Sequence, residues 1–191
     1  MIDISMFNTP IFSLEHLTEN DAKSIEQFWV KRPEGKGLQN YINNYALIDE
    51  QDGSARTYLI KDNISKEIVA YFTLRTGLIT ISKGFLKGFD AYSGVELSNF
   101  AVNDAYREGK DILPNLGSNI FAEFILPLVM KISEYVGVKF LYIFALPEDR
   151  LMAHYKKMGF ETFPIHMEKY VYRHVKPVYD RGCRFMCQML R

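Results

Sequence analysis

Hydrophobic positions recur along the chain with two different periods, and the changes between these periods mark a series of helices and strands. Residues 22–29 have apolar residues at helical spacing directly after the capping residues 18–21, and residues 38–46 form a second amphipathic pattern. Strand character dominates at 56–61 and 67–76, with a short polar turn between the two segments. The first part of the chain is therefore predicted to form two helices followed by a β-hairpin.

The second half predicts strands and helices in alternation. Residues 94–102 read as a strand, and apolar residues then recur at helical spacing from Gly117 to Val136. Pro127 lies inside this helix and is expected to kink it. The apolar strand 139–145 is expected to run parallel to 94–102, because a helical crossover connects them. The later predicted elements are a helix at 149–158 and strands at 160–163 and 181–190.

This order of elements predicts an α/β fold with one mixed, mostly antiparallel central sheet and helices on both faces. The 191 residues contain no repeat or linker, so we expect a single domain over residues 1–191. Hydrophobic residues make up 48% and aromatic residues 14% of the chain, which excludes a mostly disordered protein.

Composition also bears on the location of the protein. Uninterrupted apolar runs are far shorter than the ~20 residues of a membrane-spanning helix, so no membrane association is expected. The first residues lack a positive leader and an apolar core, which argues against a signal peptide. Cys183 and Cys187 are interpreted as small core residues in a reducing compartment. We therefore expect a cytoplasmic protein.

The net charge of zero conceals an asymmetry. Residues 150–191 contain nine Lys and Arg residues against three Asp and Glu residues, and the rest of the chain carries the opposite excess. A basic C-terminal quarter suits a polyanionic ligand such as a nucleotide cofactor or RNA. Solvated surface charge explains the same pattern, and the sequence leaves both interpretations open.

One segment has the features of an anion site. A strand, a loop and a helix follow one another over 95–136, and the helix begins at Asn115, Leu116, Gly117, Ser118 and Asn119. The free N–H groups and the dipole of a helix N-terminus favour a phosphate. Many helix starts contain Gly and Ser, so an ordinary helix start remains the alternative. The four histidines have no ligand spacing, and no metal site is expected.

A more specific pattern follows the apolar strand. Residues 151–160 contain Tyr155, Lys156, Gly159 and Phe160 at the end of the predicted helix. This run resembles the Tyr-x-Lys-x-Gly-Phe motif of the GNAT superfamily of N-acetyltransferases, and the resemblance spans about residues 56–190. It implies a GNAT-like sheet and an acyltransferase that uses acetyl-CoA as co-substrate to acetylate a primary amine.

The resemblance also implies roles for individual residues. The strand residues Phe100, Ala101 and Val102 resemble the strand whose backbone pairs with the pantetheine arm of acetyl-CoA. The helix start Asn115–Asn119 resembles the pyrophosphate loop, although it lacks the usual basic or amide residue and the first glycine. Lys110 or Arg107 is a candidate to supply the missing charge. Tyr155 resembles the tyrosine that protonates the departing CoA thiolate.

Acetyl transfer also needs a base for the incoming amine. Glu96 lies six residues before Val102 on the same predicted strand, and it is a candidate for that role. An outward-facing surface charge is the competing interpretation of Glu96.

The acceptor is the least constrained part of the prediction. The main expectation is the primary amine of a small molecule or protein. Residues 67–77 and 185–190 also resemble the branch of toxin acetyltransferases that modify aminoacyl-tRNA, which makes tRNA the alternative. A non-catalytic CoA-binding module is a second alternative, because the phosphate loop departs from the family pattern. Tyr170, Tyr172 and Tyr179 form either a homodimer surface or the edge of the core.

Overall fold

The computed structural model describes residues 2–83, 88–108, 110, 114–174 and 182–190. The strands are β1 Phe12–His16, β2 Arg56–Asp62, β3 Ile68–Ser82, β4 Phe89–Val102, β5 Phe140–Ala145, β6 Glu161–Thr162 and β7 Arg184–Met189. The helices are α1 Ala22–Ile25, α2 Lys36–Asn44, α3 Ala46–Asp52, α4 Asp104–Arg107, α5 Leu116–Ile120, α6 Leu126–Tyr135, α7 Asp149–Lys157 and α8 Ile165–His174.

The strands form a seven-stranded sheet in the order β1-β2-β3-β4-β5-β7-β6. The ladders β1–β2, β2–β3, β5–β7 and β6–β7 are antiparallel, and β4–β5 is parallel. The predicted mixed, mostly antiparallel sheet is confirmed. The expected parallel pairing of the strands on either side of the long helix is confirmed as well.

Contacts divide the chain into two compact units, and the expectation of a single domain stays a prediction. The first unit comprises Met1–Arg75 and Ser98–Leu128, and the second comprises Thr76–Leu97 and Val129–Arg191. A core in the first unit joins α1–α3 to β2 and β3 through buried Phe28, Ile42 and Tyr71.

The first unit differs from prediction at its beginning. Residues predicted as the lead-in to a helix form strand β1, whose Leu14 pairs with Ile60 of β2. The predicted cap is confirmed: the Thr18 backbone N–H and hydroxyl both donate to Asp21 Oδ2 at 2.8 Å. After Val102 the chain forms the short helix α4, which was not predicted.

The long helix contains a π-helical turn at Phe121–Ile125, between α5 and α6. Leu126 donates its N–H to the carbonyl of Phe121, five residues earlier. Pro127 follows directly and has no N–H to donate, so the wider turn lies where the proline interrupts the α-helical ladder. This turn is the local response to Pro127, where a kink was expected.

The run Leu116–Tyr135 is long and apolar enough to match a membrane-spanning helix by length and composition. The sequence predicts no such span, because its uninterrupted apolar runs are far shorter than the ~20 residues that a spanning helix needs. A buried core helix has the same length and composition, so the match does not distinguish a membrane span from a core helix. The absence of membrane association stays a prediction.

The second unit is built around β5, whose residues are almost all buried. Phe140, Tyr142 and Phe185 form its core with Val171 of α8. Helix α8 was not predicted. The predicted strand 160–163 is shortened to Glu161–Thr162. Strand β4 begins at Phe89, before the predicted start at residue 94, and residues 84–87 lie outside the described residues.

Candidate functional site

In the first unit, the predicted pantetheine strand forms the C-terminal end of β4. Ala101 is buried in the core cluster, whereas Phe100 and Val102 are partly exposed. Successive strand residues face opposite sides, so Ala101 anchors this segment and its two neighbours share the other face. The structure therefore places the three residues on an ordered strand end.

Asn103 fixes that strand end, and the sequence analysis missed it. Its side chain is 4% exposed. Nδ2 donates to the carbonyl of Ile68 at 2.8 Å, and Oδ1 accepts from the N–H groups of Trp29 and Ala105, each at 3.1 Å. Its own N–H donates to Val69 O at 2.8 Å. An asparagine between a strand and a helix start was the available signal, since Asn is a preferred N-cap.

The predicted phosphate loop begins the long helix. Asn115 is left-handed, with φ 63° and ψ 32°, and it forms the N-cap of α5. The first helical hydrogen bond runs from Asn119 N–H to Asn115 O at 3.0 Å. The N–H groups of Leu116, Gly117 and Ser118 therefore precede the hydrogen-bonded ladder, the arrangement that suits an anion. Residues 111–113, which precede this helix start, lie outside the described residues.

The two residues considered as replacements for the missing loop charge have carboxylate partners. Lys110 Nζ forms an ion pair with Glu67 and lies 3.8 Å from the centre of the Tyr106 ring. Arg107 lies 3.7 Å from Asp104, one helical turn away. A phosphate would have to compete with these carboxylates, so the backbone N–H groups are the stronger anion-binding feature of this unit.

Tyr155 lies in the second unit, in the last turn of α7. Its ring contacts Phe160 edge-on, with the ring centres 5.7 Å apart, and Phe160 N–H donates to the carbonyl of Tyr155 at 3.1 Å. Gly159 allows this turn because its φ is +93°. Within the described part of the chain, the Tyr155 hydroxyl makes no hydrogen bond. Burial raises the pKa of Tyr155 to about 12, so the hydroxyl keeps its proton at neutral pH.

Exposed basic residues lie on this helix and on α8. Arg150, Lys156 and Lys157 lie on α7, and Lys169 and Arg173 lie on α8. None of the five has an ion-pair partner among the carboxylates that the structure describes. These residues therefore give the second unit positive charge that is free to meet an anionic ligand.

Glu96 is buried, with 5% of its surface exposed, so the interpretation as an outward-facing charge is wrong. It pairs with Tyr142 of β5, which pairs in turn with Cys187 of β7. The parallel ladder β4–β5 runs only from Gly94 to Glu96, whereas β5 continues to Ala145 in its pairing with β7. Glu96 thus stands at the last pair of the ladder.

The second unit also contains a cavity of ≈ 480 Å³. Its lining is mainly apolar and comes from β3, β5, β6, β7 and the turn after α7: Ile81, Phe140, Gly159, Glu161, Phe163, Cys187, Gln188 and Met189.

Two further expectations meet the structure only in part. Across the described residues, no cluster of three or more His, Cys, Asp or Glu residues could hold a metal ion, and the absence of a metal stays a prediction. Tyr170 contacts Phe89, and the Tyr172 hydroxyl donates to the carbonyl of Cys183. Tyr179 lies outside the described residues, so the homodimer also stays a prediction.

No protein-family model and no curated protein matches the sequence. Solved structures do resemble it in fold. AtaTR bound with acetyl-CoA has a TM-score of 0.62 and 16% identity, and covers 94% of each chain. AtaT complexed with acetyl-methionyl-tRNAfMet has a TM-score of 0.63 and 15% identity, and covers 91% of this chain and 93% of that one.

A mutant of KacT with one tyrosine replaced by phenylalanine has a TM-score of 0.64 and 15% identity, and covers 94% of this chain and 95% of that one. These neighbours confirm the predicted GNAT-like fold at the level of structure.

Proposed function

We propose that the protein is an acetyl-CoA-dependent N-acetyltransferase whose acceptor is the amino group of aminoacyl-tRNA. The observation that carries the proposal is the place of Tyr155 in the last turn of α7, shortly before Gly159 and Phe160, with a hydroxyl that makes no hydrogen bond within the described residues. It occupies the position that the GNAT-like motif gives to the general acid, in a chain with the fold of a protein solved with acetyl-CoA.

The first unit offers groups that fit the co-substrate. The N–H groups of Leu116, Gly117 and Ser118 suit its phosphates, and the backbone of the strand end Phe100–Val102 suits the amides of its pantetheine arm. The left-handed Asn115 supports this assignment, because it provides the tight turn that the missing glycine provides in the family pattern.

Acetyl-CoA supplies a thioester, whose acyl carbon bonds to the amine nitrogen as its bond to sulfur breaks. Glu96 accepts a proton from the incoming ammonium, which frees the nitrogen lone pair. The Tyr155 hydroxyl donates its proton to the leaving thiolate, and the second proton that the attacking nitrogen releases restores this hydroxyl. A thiolate of ordinary pKa ~8.5 accepts this proton from a tyrosine only locally, so the exclusion of water around Tyr155 matters to the step.

Two observations favour tRNA over the small-molecule or protein amine that the sequence analysis placed first. The exposed basic residues of α7 and α8 suit a polyanion, because phosphate neutralisation by Lys and Arg dominates RNA affinity. The neighbour AtaT is solved with acetyl-methionyl-tRNAfMet. Both support an acceptor in which a large phosphate backbone accompanies the amine.

The first experiment is a calorimetric titration with acetyl-CoA, combined with a CoA-release assay on Tyr155→Phe. We expect one micromolar site per chain, and turnover at least tenfold lower in the variant with unchanged acetyl-CoA affinity. Tyr135→Phe is the matched control, because Tyr135 is an exposed tyrosine on α6. Unchanged turnover in Tyr155→Phe would remove the tyrosine from the mechanism. Binding without CoA release, whichever amine is offered, would favour the non-catalytic module.

The acceptor is identified by offering bulk aminoacyl-tRNA beside deacylated tRNA, free amino acids and protein amines. We expect acetylation of aminoacyl-tRNA only, with affinity that falls between ~50 and ~200 mM salt. Replacing both Lys156 and Lys157 by Gln should weaken this affinity and reduce its salt dependence. Acetylation of free amines with no response to tRNA would return the acceptor to the small-molecule or protein class.

A further inference from the structure

We infer that the ≈ 480 Å³ cavity of the second unit is the specificity pocket of the acceptor and takes an apolar amino-acid side chain next to the reacting amine. The inference rests on the proposed acetyltransferase function and deepens it. It assigns a class of acceptor, namely amines that carry a large apolar side chain, and it names the residues that select them.

The sheet register connects the cavity to Glu96. Glu96 pairs with Tyr142, Tyr142 with Cys187, and Cys187 with Glu161, which forms one row across four strands. Directly paired residues project from the same face of a sheet. Glu96 and the cavity residues Cys187 and Glu161 therefore share a face. Neighbouring strands are about 4.8 Å apart, so Cys187 lies about 10 Å from Glu96 along the row.

The adjacent row adds two further walls of the cavity. Gly94 pairs with Phe140, and Phe140 pairs with Met189. Gly94 has no side chain, and a Cβ there would lie only 3.1 Å from the Tyr142 ring, so the ring packs closely against this glycine. Phe140 and Met189 thus line the cavity beside a ring that lies over β4. This row therefore runs from two cavity residues to Gly94, two positions before the candidate base on β4.

The lining chemistry defines the side chain that fits. Ile81, Phe140, Phe163 and Met189 are apolar. Cys187 adds a small apolar wall, because burial raises the pKa of its thiol to about 12 and keeps it neutral. The volume is within the range of small-ligand sites and is large enough for an aromatic side chain.

Glu161 is the charged group of the lining, and it is exposed at the outer end of the row. A carboxylate in this place repels an acidic side chain and has no such effect on an apolar one. Aspartyl and glutamyl acceptors are therefore disfavoured, and glycyl acceptors gain nothing from the cavity.

The test compares amino-acid amides as binding probes and aminoacyl-tRNAs as substrates. Binding of phenylalaninamide and glycinamide is measured by ligand-observed NMR with CoA present, and CoA release is measured with phenylalanyl-, glycyl- and aspartyl-tRNA. We expect phenylalaninamide to bind at least about tenfold more tightly than glycinamide, and the same order in kcat/KM.

Cys187→Leu fills part of the cavity, and Cys183→Leu makes the same change at the other buried cysteine, which is not in the lining. We expect Cys187→Leu to remove most of the phenylalaninamide preference and to leave glycinamide binding unchanged. Cys183→Leu should leave the preference intact. If Cys187→Leu does not fold, Met189→Trp at the exposed rim replaces it, with Ile165→Trp as its control.

The outcomes separate the inference from the function on which it rests. Equal binding of the two amides, or an unchanged preference in folded Cys187→Leu, overturns the inference even if acetylation proceeds. Loss of the preference in that variant supports the pocket. If that loss is seen while no acceptor releases CoA, the pocket stands and the acetyltransferase proposal falls.

Discussion

Replacing Asn103 by Ala tests a buried polar side chain of the first unit that makes three hydrogen bonds. Nδ2 holds the Ile68 carbonyl in a buried hydrogen bond, and Oδ1 holds two partly buried N–H groups of Trp29 and Ala105. The substitution removes three hydrogen bonds and leaves their backbone partners behind. It also removes the N-cap of α4 directly after the proposed cofactor strand Phe100–Val102.

The size of the effect follows from the exposure of each abandoned partner. The buried Ile68 carbonyl loses its donor without access to water, which costs about 1–3 kcal/mol. Water can replace Asn103 at the two partly buried N–H groups, so each of these adds roughly 0.5–1 kcal/mol. We expect a loss of about 2–5 kcal/mol in the free energy of unfolding, which lowers Tm by roughly 5–20 °C.

Urea unfolding measures this loss, and acetyl-CoA titration of the folded variant measures its consequence at the strand end. Asn99→Ala is the matched control, because the Asn99 amide donates only to Ser98 at 3.3 Å, and we expect it to cost less than about 0.5 kcal/mol. Asn103→Asp should be no milder than Asn103→Ala, since a carboxylate oxygen would face the Ile68 carbonyl. A change below 1 kcal/mol in Asn103→Ala would refute the reasoning.

Three other changes test the second unit. Burial raises the pKa of Tyr155 to about 12, so this residue should contribute no tyrosinate absorbance between pH 9 and 11. The wild-type protein and Tyr155→Phe should therefore have the same absorbance titration in this range, and a difference of one tyrosine would contradict the expectation. Burial and then Lys157 lower the pKa of His154, so Lys157→Gln should raise it in an NMR titration. Neutral His154 contributes stability above pH ~6.5, and this contribution is lost as the pH falls. In Lys157→Gln the free energy of unfolding should therefore decrease less on acidification. Arg184→Met leaves the buried Glu168 carboxylate without its ion-pair partner. It should lower the free energy of unfolding in urea by about 1–3 kcal/mol, which is more than the loss in Glu168→Gln. Equal losses in the two variants would show that the unpaired carboxylate is not the cause of the destabilisation.

Elements with a strong local pattern could be predicted from the sequence. The hairpin β2–β3, strand β5 and helix α7 each carry a hydrophobic period long enough to identify them without knowledge of their partners. The end of α7 could be placed closely, because a glycine followed by an apolar residue is a local stop signal.

The missed elements depend on distant partners or on weak signals. Strand β1 has five residues, and it is defined by pairing with β2 more than forty residues later. Helix α8 follows Pro164, a residue favoured at helix starts, but its apolar positions are few and one inward position is Glu168. Glu168 is compatible with burial only because Arg184 donates to both of its carboxylate oxygens, at 3.0 and 3.1 Å.

The candidate base shows most clearly what tertiary pairing adds to the sequence. The sequence places Glu96 on a strand, but a shift of one residue in register would turn it to the other face. Two glycines explain why this register is held. Tyr142 lies against the backbone at Gly94, and a Cβ at Gly77 would overlap the Tyr142 hydroxyl. With both positions free of side chains, the Tyr142 ring can lie across β4 and β3, and its pairing with Glu96 fixes the carboxylate on the face that also carries the cavity. In the sequence these glycines only mark interruptions in an apolar pattern, whereas in the fold they determine which way the candidate base points.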